Sequence, residues 1–146
     1  TMKVYDTTIY DTKEEEVINY LNKNKYKKKP LELTGRWNKF DFVNKSRRIE
    51  LKSRSCPHNT YKTVMMNIPK LDYCRNNPQY KYRFYFLYTD GLYRWDYIKN
   101  YKYEIKKGGR TDRGDPRDIR DYAYIDIKEL KLVTKDLCSN LEKCLL

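Results

Sequence analysis

The sequence is short of the side chains that build metal clusters of the zinc type. It has one histidine, His58, and four cysteines, Cys56, Cys74, Cys138 and Cys144. No two of these cysteines stand at Cys-x2-Cys spacing, so the common structural zinc patterns are excluded. A metal shared by Cys56, His58 and Cys74 is the alternative, but free thiols in a reducing compartment are the expected state. No long apolar run and no basic amphipathic helix stands out, which argues against a membrane partner. The polar N-terminus, where Thr1 precedes Met2, carries no secretory signal, and the expected location is intracellular, in cytoplasm or nucleus. Glutamine occurs once, at Gln79, and there are no internal repeats.

Charge is abundant. Over 146 residues the formal net charge is +12, with 36% charged and 39% hydrophobic residues. That length suits one domain, here taken as residues 1–146, and is enough to bury about 68–70% of the unfolded surface. Sixteen tyrosines supplement the modest apolar content. A positive field of this size attracts polyanions, and nucleic acid is the natural partner.

The most informative segment is a short hairpin. Phe40-Asp41-Phe42-Val43 leads through Asn44-Lys45-Ser46-Arg47 into Arg48-Ile49-Glu50-Leu51-Lys52. Both arms alternate as half-buried strands do. Phe40, Phe42, Ile49 and Leu51 are expected on one face, and Asp41, Val43, Arg48, Glu50 and Lys52 on the other. A symmetric turn sets Asp41 directly across from Glu50. Like charges so placed, with Cβ atoms about 4.5–5.5 Å apart, destabilise a sheet. The pair calls for cations: Lys52 from the same face, and a divalent metal for the remaining charge. A solvated strand face is the simpler reading of the same alternation.

Acid, acid and lysine in this order, carried by Gly35-Arg36-Trp37-Asn38-Lys39-Phe40-Asp41 and Glu50-Leu51-Lys52, resemble the PD-(D/E)XK nuclease superfamily. Phe40 stands where the name-giving proline would be. The resemblance centres on residues 11–54 and is looser up to about residue 130. It implies an α/β fold with a restriction-endonuclease-like three-layer core, a mixed central β-sheet flanked by helices. It also implies a metal-dependent endonuclease acting on DNA, with RNA not excluded, and it allows a homodimer. Asp41 and Glu50 would be catalytic acids that hold Mg2+ (or Mn2+) together with the Leu51 backbone carbonyl, since magnesium takes oxygen ligands and keeps several waters. Lys52 would orient or deprotonate the attacking water, or stabilise charge on phosphorus. The superfamily often draws a further acid from its first helix. Its exonuclease branch carries a glutamine and a tyrosine a turn apart after the lysine, and Gln79 lies too far downstream to match. A non-catalytic nucleic-acid-binding module on the same fold is the alternative.

The remaining segments fit around this hairpin. A first helix is expected from about Thr12, with Thr12-x-x-Glu15 as a capping box. Val17, Ile18 and Leu21 form its apolar stripe, and Glu14 shares that face, which makes it the helix acid of choice. Residues 22–30 hold five lysines in a basic loop; this is either a solvated linker or a phosphate contact. Trp37 is expected in the core. Arg36, Arg48 and Arg54 are candidate phosphate contacts about the hairpin. Pro69 suits the first turn of a helix over 69–76 that places Lys70 near the strand ends, as a further candidate contact to the nucleic-acid backbone. Tyr80 to Tyr97 reads as a second hairpin turning at Asp90-Gly91. Residues 106–121 read as a glycine-containing basic loop that engages DNA, with Arg110 and Arg113 as its contacts. A last strand over 122–127 and a mixed ending over 128–146, with helix as one option, complete the chain.

Overall fold

The computed structural model describes residues 4–35, 38–109, 117 and 119–139, with side chains from Lys13 onward. Helix α1 spans Val4–Asn24. It is followed by β1 (Glu32–Leu33), β2 (Phe42–Val43), β3 (Arg47–Ser53) and β4 (Thr63–Asn67). Helix α2 covers Ile68–Asn76, and β5 (Lys81–Tyr88) and β6 (Gly91–Asp96) form the aromatic hairpin. Strands β7 (Glu104–Gly108), β8 (Arg120–Asp126) and β9 (Lys131–Thr134) close the described chain. The architecture is α/β.

Among the described residues a mixed six-stranded sheet has the order β1-β2-β3-β5-β6-β9, and a second sheet has the order β4-β8-β7. Strands β2 and β3 are antiparallel, with Phe42 opposite Ile49 and Val43 opposite Arg48. Strand β3 then runs parallel to β5 from Arg47–Lys81 to Ser53–Leu87. Parallel neighbours need a long crossover, which β4 and α2 provide.

The two faces of the large sheet explain its composition. Successive strand side chains point to opposite faces. On β5, Tyr85 and Leu87 join Phe42 and Ile49 under Val17, Ile18 and Leu21 of α1. Tyr82, Phe84, Phe86 and Tyr88 face the other way, against Leu71 and Cys74 of α2 and Met66, Ala123 and Ile125 of the small sheet. A strand buried on both faces reads as a nearly continuous apolar run, and Lys81–Tyr88 is such a run. The Cys74 thiol is pushed up to about 12, first of all by burial. It is a packed, unreactive sulfur.

Several expectations change. Helix α1 begins at Val4, two turns before the expected start, so Thr12 is interior to it. Its first turns carry β-branched and aromatic residues, which are weak helix formers. Phe40 leaves the face of Phe42 and packs with the α2-side cluster, 5.4 Å from the ring of Tyr82 and 5.9 Å from that of Tyr73. Alternation holds only where a ladder exists, and β2 starts at Phe42. Upstream the chain bends, with the Thr34 hydroxyl bonded to the carbonyls of Phe40 and Asp41. Lys106–Gly108 and Arg120–Asp121 are strand rather than loop, paired across β7 and β8. Among the described residues after 128, Lys131–Thr134 form a strand, β9, on the edge of β6. The β5–β6 turn is Thr89-Asp90, with Gly91 already paired to Tyr88. Gly91 adopts φ +147°, and a Cβ there would lie 2.9 Å from the Thr134 carbonyl. Trp37, Arg36, Arg110, Arg113 and Cys144 lie outside the described residues.

Candidate active site

Three elements converge at the β2–β3 hairpin. Asp41 stands at the entry to β2, with its N–H donating to the Ile49 carbonyl (2.9 Å). Its carboxylate Oδ2 accepts the Leu51 N–H at 2.7 Å. A strand residue's N–H and C=O point to the same edge, so the Leu51 carbonyl faces the Asp41 edge too. Glu50 and Lys52 stand on the α2 side of β3. The Lys52 ammonium lies 3.5 Å from Glu50.

The third element is α2. Its N-cap, Asn67, accepts the Lys70 N–H at 2.9 Å, and Pro69 occupies the first turn, where its missing N–H is harmless. This cap aims Lys70 at the acids. Its ammonium lies 3.4 Å from Glu50, donates to the Lys39 carbonyl and sits 4.8 Å over the Phe40 ring. Phe40 therefore serves as a wall beneath the lysine.

The electrostatics follow from this crowding. Asp41 is pushed from 3.8 up to about 6. Burial is the largest cause and Glu50 adds to it, while the Leu51 N–H, Lys70 and Lys52 oppose it. Removal from water is the main cost of ionising Asp41, and a cation held at the carboxylate would offset it. Glu50 is 13% exposed and touches two ammonium groups at 3.4 and 3.5 Å. Tight charge-assisted bonds are about 2.7–2.9 Å, so these are loose contacts. Among the described residues no set of three His, Cys, Asp or Glu side chains is arranged to hold a metal. The donors at hand for a hard cation are two carboxylates and one carbonyl.

A family model described as "Phage putative PDDEXK endonuclease" matches residues 2–133. The chain belongs to that family. It is thus a member of the PD-(D/E)XK nuclease superfamily, and its substrate class is nucleic acid. No curated protein and no solved structure matches it significantly.

In this PD-(D/E)XK nuclease the other candidates divide into those near the acids and those away from them. Glu14 and Lys13 of α1 share a cleft of about 300 Å³ with Leu51, Lys52, Ser53 and Arg54. The helix acid is thereby brought to the same end of β3 as Lys52. Arg54 lies on the rim of that cleft, its guanidinium on the Ser53 carbonyl at 3.0 Å. Arg48 is held elsewhere. It stacks 3.7 Å from the Tyr80 ring centre and donates to the carbonyls of Asn44 (2.7 Å) and Arg47 (2.9 Å), so it braces the turn. His58 is engaged by Asp90, 2.5 Å from its Nδ1, and stacks on Tyr93. Sequence reasoning gave Lys70 only a backbone-binding role. Asn67-x-Pro69-Lys70, a cap followed by a helix start, marks where α2 begins, and the tertiary fold brings that first turn to Glu50.

Proposed function

We propose that this chain is a metal-dependent endonuclease that hydrolyses phosphodiester bonds in DNA, built on a restriction-endonuclease-like core. The observation that carries the reading is Asp41 and Glu50 meeting at the hairpin with Lys52 beside them, and Asp41 driven up to about 6 by burial and by its neighbour. The order of α1, the antiparallel β2–β3 pair and the parallel β5 supports the fold assignment.

The residues fit a magnesium ion. Asp41, Glu50 and the Leu51 carbonyl would hold it, leaving the remaining positions to water, as Mg2+ prefers. Bound there, such an ion supplies an acidified water and neutralises charge at the phosphoryl oxygens. Lys52 orients the nucleophilic water and faces the charge that builds on phosphorus. Glu14 lines a cleft with Lys52, on whose rim Arg54 meets a neighbouring phosphate. Lys70, held at the acids in the free protein, is within reach of the substrate backbone.

Plasmid cleavage with Mg2+ or Mn2+, with and without chelator, tests the proposal. Cutting should need the divalent ion and vanish in Glu50→Ala and Lys52→Ala, with DNA binding retained. No cleavage under any divalent ion removes the enzymatic claim. The ion pairs on Glu50 support a second reading, a non-catalytic nucleic-acid-binding module whose acids are neutralised by lysines. That reading predicts metal-independent binding, unaltered by Glu50→Ala.

A further inference from the structure

A second positively lined groove lies at the other end of α1. It has a volume of about 580 Å³ and its charged walls are Lys25, Lys27, Lys28, Lys29, Arg47 and Arg83. Among the described residues no acidic side chain lines it. Surface lysine runs are ordinarily solvated, but this segment is fastened at both ends. Asn22 grips Leu31 twice, accepting its N–H at 2.7 Å and donating to its carbonyl at 3.0 Å. Asn44, in the β2–β3 turn, donates to the Lys29 carbonyl at 2.9 Å. The lysines are displayed on a fixed loop.

The groove floor is also built. Arg83 is mostly buried, donates to the Tyr26 hydroxyl at 2.7 Å and pairs with Asp96 at 3.5 Å. Burial works against its charge, but Tyr26 and Asp96 outweigh it and hold the guanidinium protonated. Arg47 packs over the Tyr26 ring at 5.5 Å, and its buried Nε has no partner among the described residues. Six cations on a preset surface, one with an unmet donor, need anionic oxygen acceptors.

Its place in the fold indicates which. From Arg47 to Lys52 along β3 is about 17 Å at roughly 3.3 Å per residue. From Glu14 to Asn24 along α1 is about 15 Å at 1.5 Å per residue. Arg47 and Arg83 meet Tyr26 on the α1 side of the sheet, whereas Glu50 meets Lys70 on the α2 side, so the groove is set apart from the acids both along β3 and by the face it opens on. In a nuclease the anion at hand is the nucleic-acid backbone, which carries one phosphate per roughly 3.4 Å of duplex axis.

We infer that this groove is a second backbone-binding site, which takes phosphates of the substrate away from the bond that is cut. The inference rests on the nuclease reading. It assigns Lys27, Lys28 and Lys29, with Arg47 and Arg83 beneath them, to substrate binding at a distance from the chemistry.

The test is duplex binding in chelator, so that no cutting occurs. Fluorescence anisotropy of a labelled duplex of about 20 base pairs is followed across salt concentrations for three proteins. These are the wild type, a Lys27→Ala/Lys28→Ala/Lys29→Ala variant, and a variant with the same three lysines changed to arginine. Each phosphate contact contributes about 0.9 to the slope of log affinity against log salt. The alanine variant should lose about 2–3 from that slope and bind at least ~10-fold more weakly near 0.1 M salt. The arginine variant should restore both. A wild type that binds in chelator and cuts when Mg2+ is supplied, beside an alanine variant of unchanged slope, overturns the groove and leaves the nuclease reading standing. Weakened binding that arginine fails to restore overturns it as well. A wild type with no affinity for duplex or single strands removes the nuclease reading and the groove together.

Discussion

Replacing Asp41 with asparagine should stabilise the metal-free protein at neutral pH while abolishing cleavage. In the folded chain Asp41 keeps its proton up to about pH 6, whereas the ordinary carboxyl releases it near 3.8. Between those values the folded state binds more protons than the unfolded state, so stability rises as pH falls through this window. Above it the ionised, buried group carries its full penalty. A displacement from 3.8 to about 6, at 1.36 kcal/mol per pH unit, amounts to about 3 kcal/mol. The substituted amide would keep an oxygen acceptor for the Leu51 N–H and would not ionise. Asp41→Asn should therefore exceed the wild type by up to ~3 kcal/mol at pH 8, roughly 10 °C in Tm for a chain of this size. The gap should close toward zero near pH 4, where the wild-type carboxyl is itself neutral. Urea denaturation in chelator at half-unit steps from pH 4 to 8 measures it. A gap that is constant with pH, or a variant less stable at pH 8, refutes the claim that burial makes the ionised form of Asp41 costly. It would also remove the electrostatic reason for a cation there.

Other consequences are simpler. Mg2+ at about 10 mM should raise the melting temperature of the wild type; a Kd of ~1 mM would give about 1.4 kcal/mol, and no shift with either Mg2+ or Mn2+ in differential scanning fluorimetry counts against the proposed ion site. Lys70→Ala takes one ammonium from Glu50, so it should cost about 1 kcal/mol without metal and enlarge the Mg2+-induced shift; a smaller shift would mean that Lys70 helps to hold the ion rather than standing in for it. Leu21→Ala empties a fully buried site between α1 and the sheet and should cost about 2–5 kcal/mol in urea unfolding; a loss under about 1 kcal/mol would mean that α1 is loosely docked.

The hairpin was legible because its information is local. Alternation over Phe42–Val43 and Ile49–Lys52 fixes the faces, and a short turn fixes which residues oppose, so Phe42 opposite Ile49 follows from sequence. The same logic fails at Phe40, one step outside the ladder, where tertiary packing on Tyr73 and Tyr82 decides. Strand β9 was missed for the converse reason. Leu132 is 48% exposed and its strand sits on a sheet edge, so the four residues Lys131–Thr134 carry little hydrophobic signal. Residues 106–108 and 120–122 pair with each other across a connection, and the charges among them suggest loop to any local reading. Glu14 was placed by helical periodicity on the face of Val17 and Ile18, both of which are buried. The contact of Lys70 with Glu50 joins residues far apart in sequence, and only the crossover through β4 and α2 brings them together.

The two lysines on Glu50 differ in how they are held, and that difference matters to the proposed chemistry. Lys52 is a strand residue, and its backbone is fixed by the β3–β5 ladder opposite Phe86. It can move only its side chain and stays on the face where phosphorus would lie. Lys70 reaches the acids from a helix end, and its ammonium also binds the Lys39 carbonyl and lies on Phe40. Two carboxylates balanced by two ammonium groups form a neutral set. A dication added to it leaves an excess of two positive charges, which a phosphodiester and a released proton offset. The simplest rearrangement keeps Lys52 in place and turns Lys70 from Glu50 toward the incoming phosphate. The free protein would then keep its acids neutralised without closing them to an ion, consistent with contacts of 3.4 and 3.5 Å rather than tight bonds.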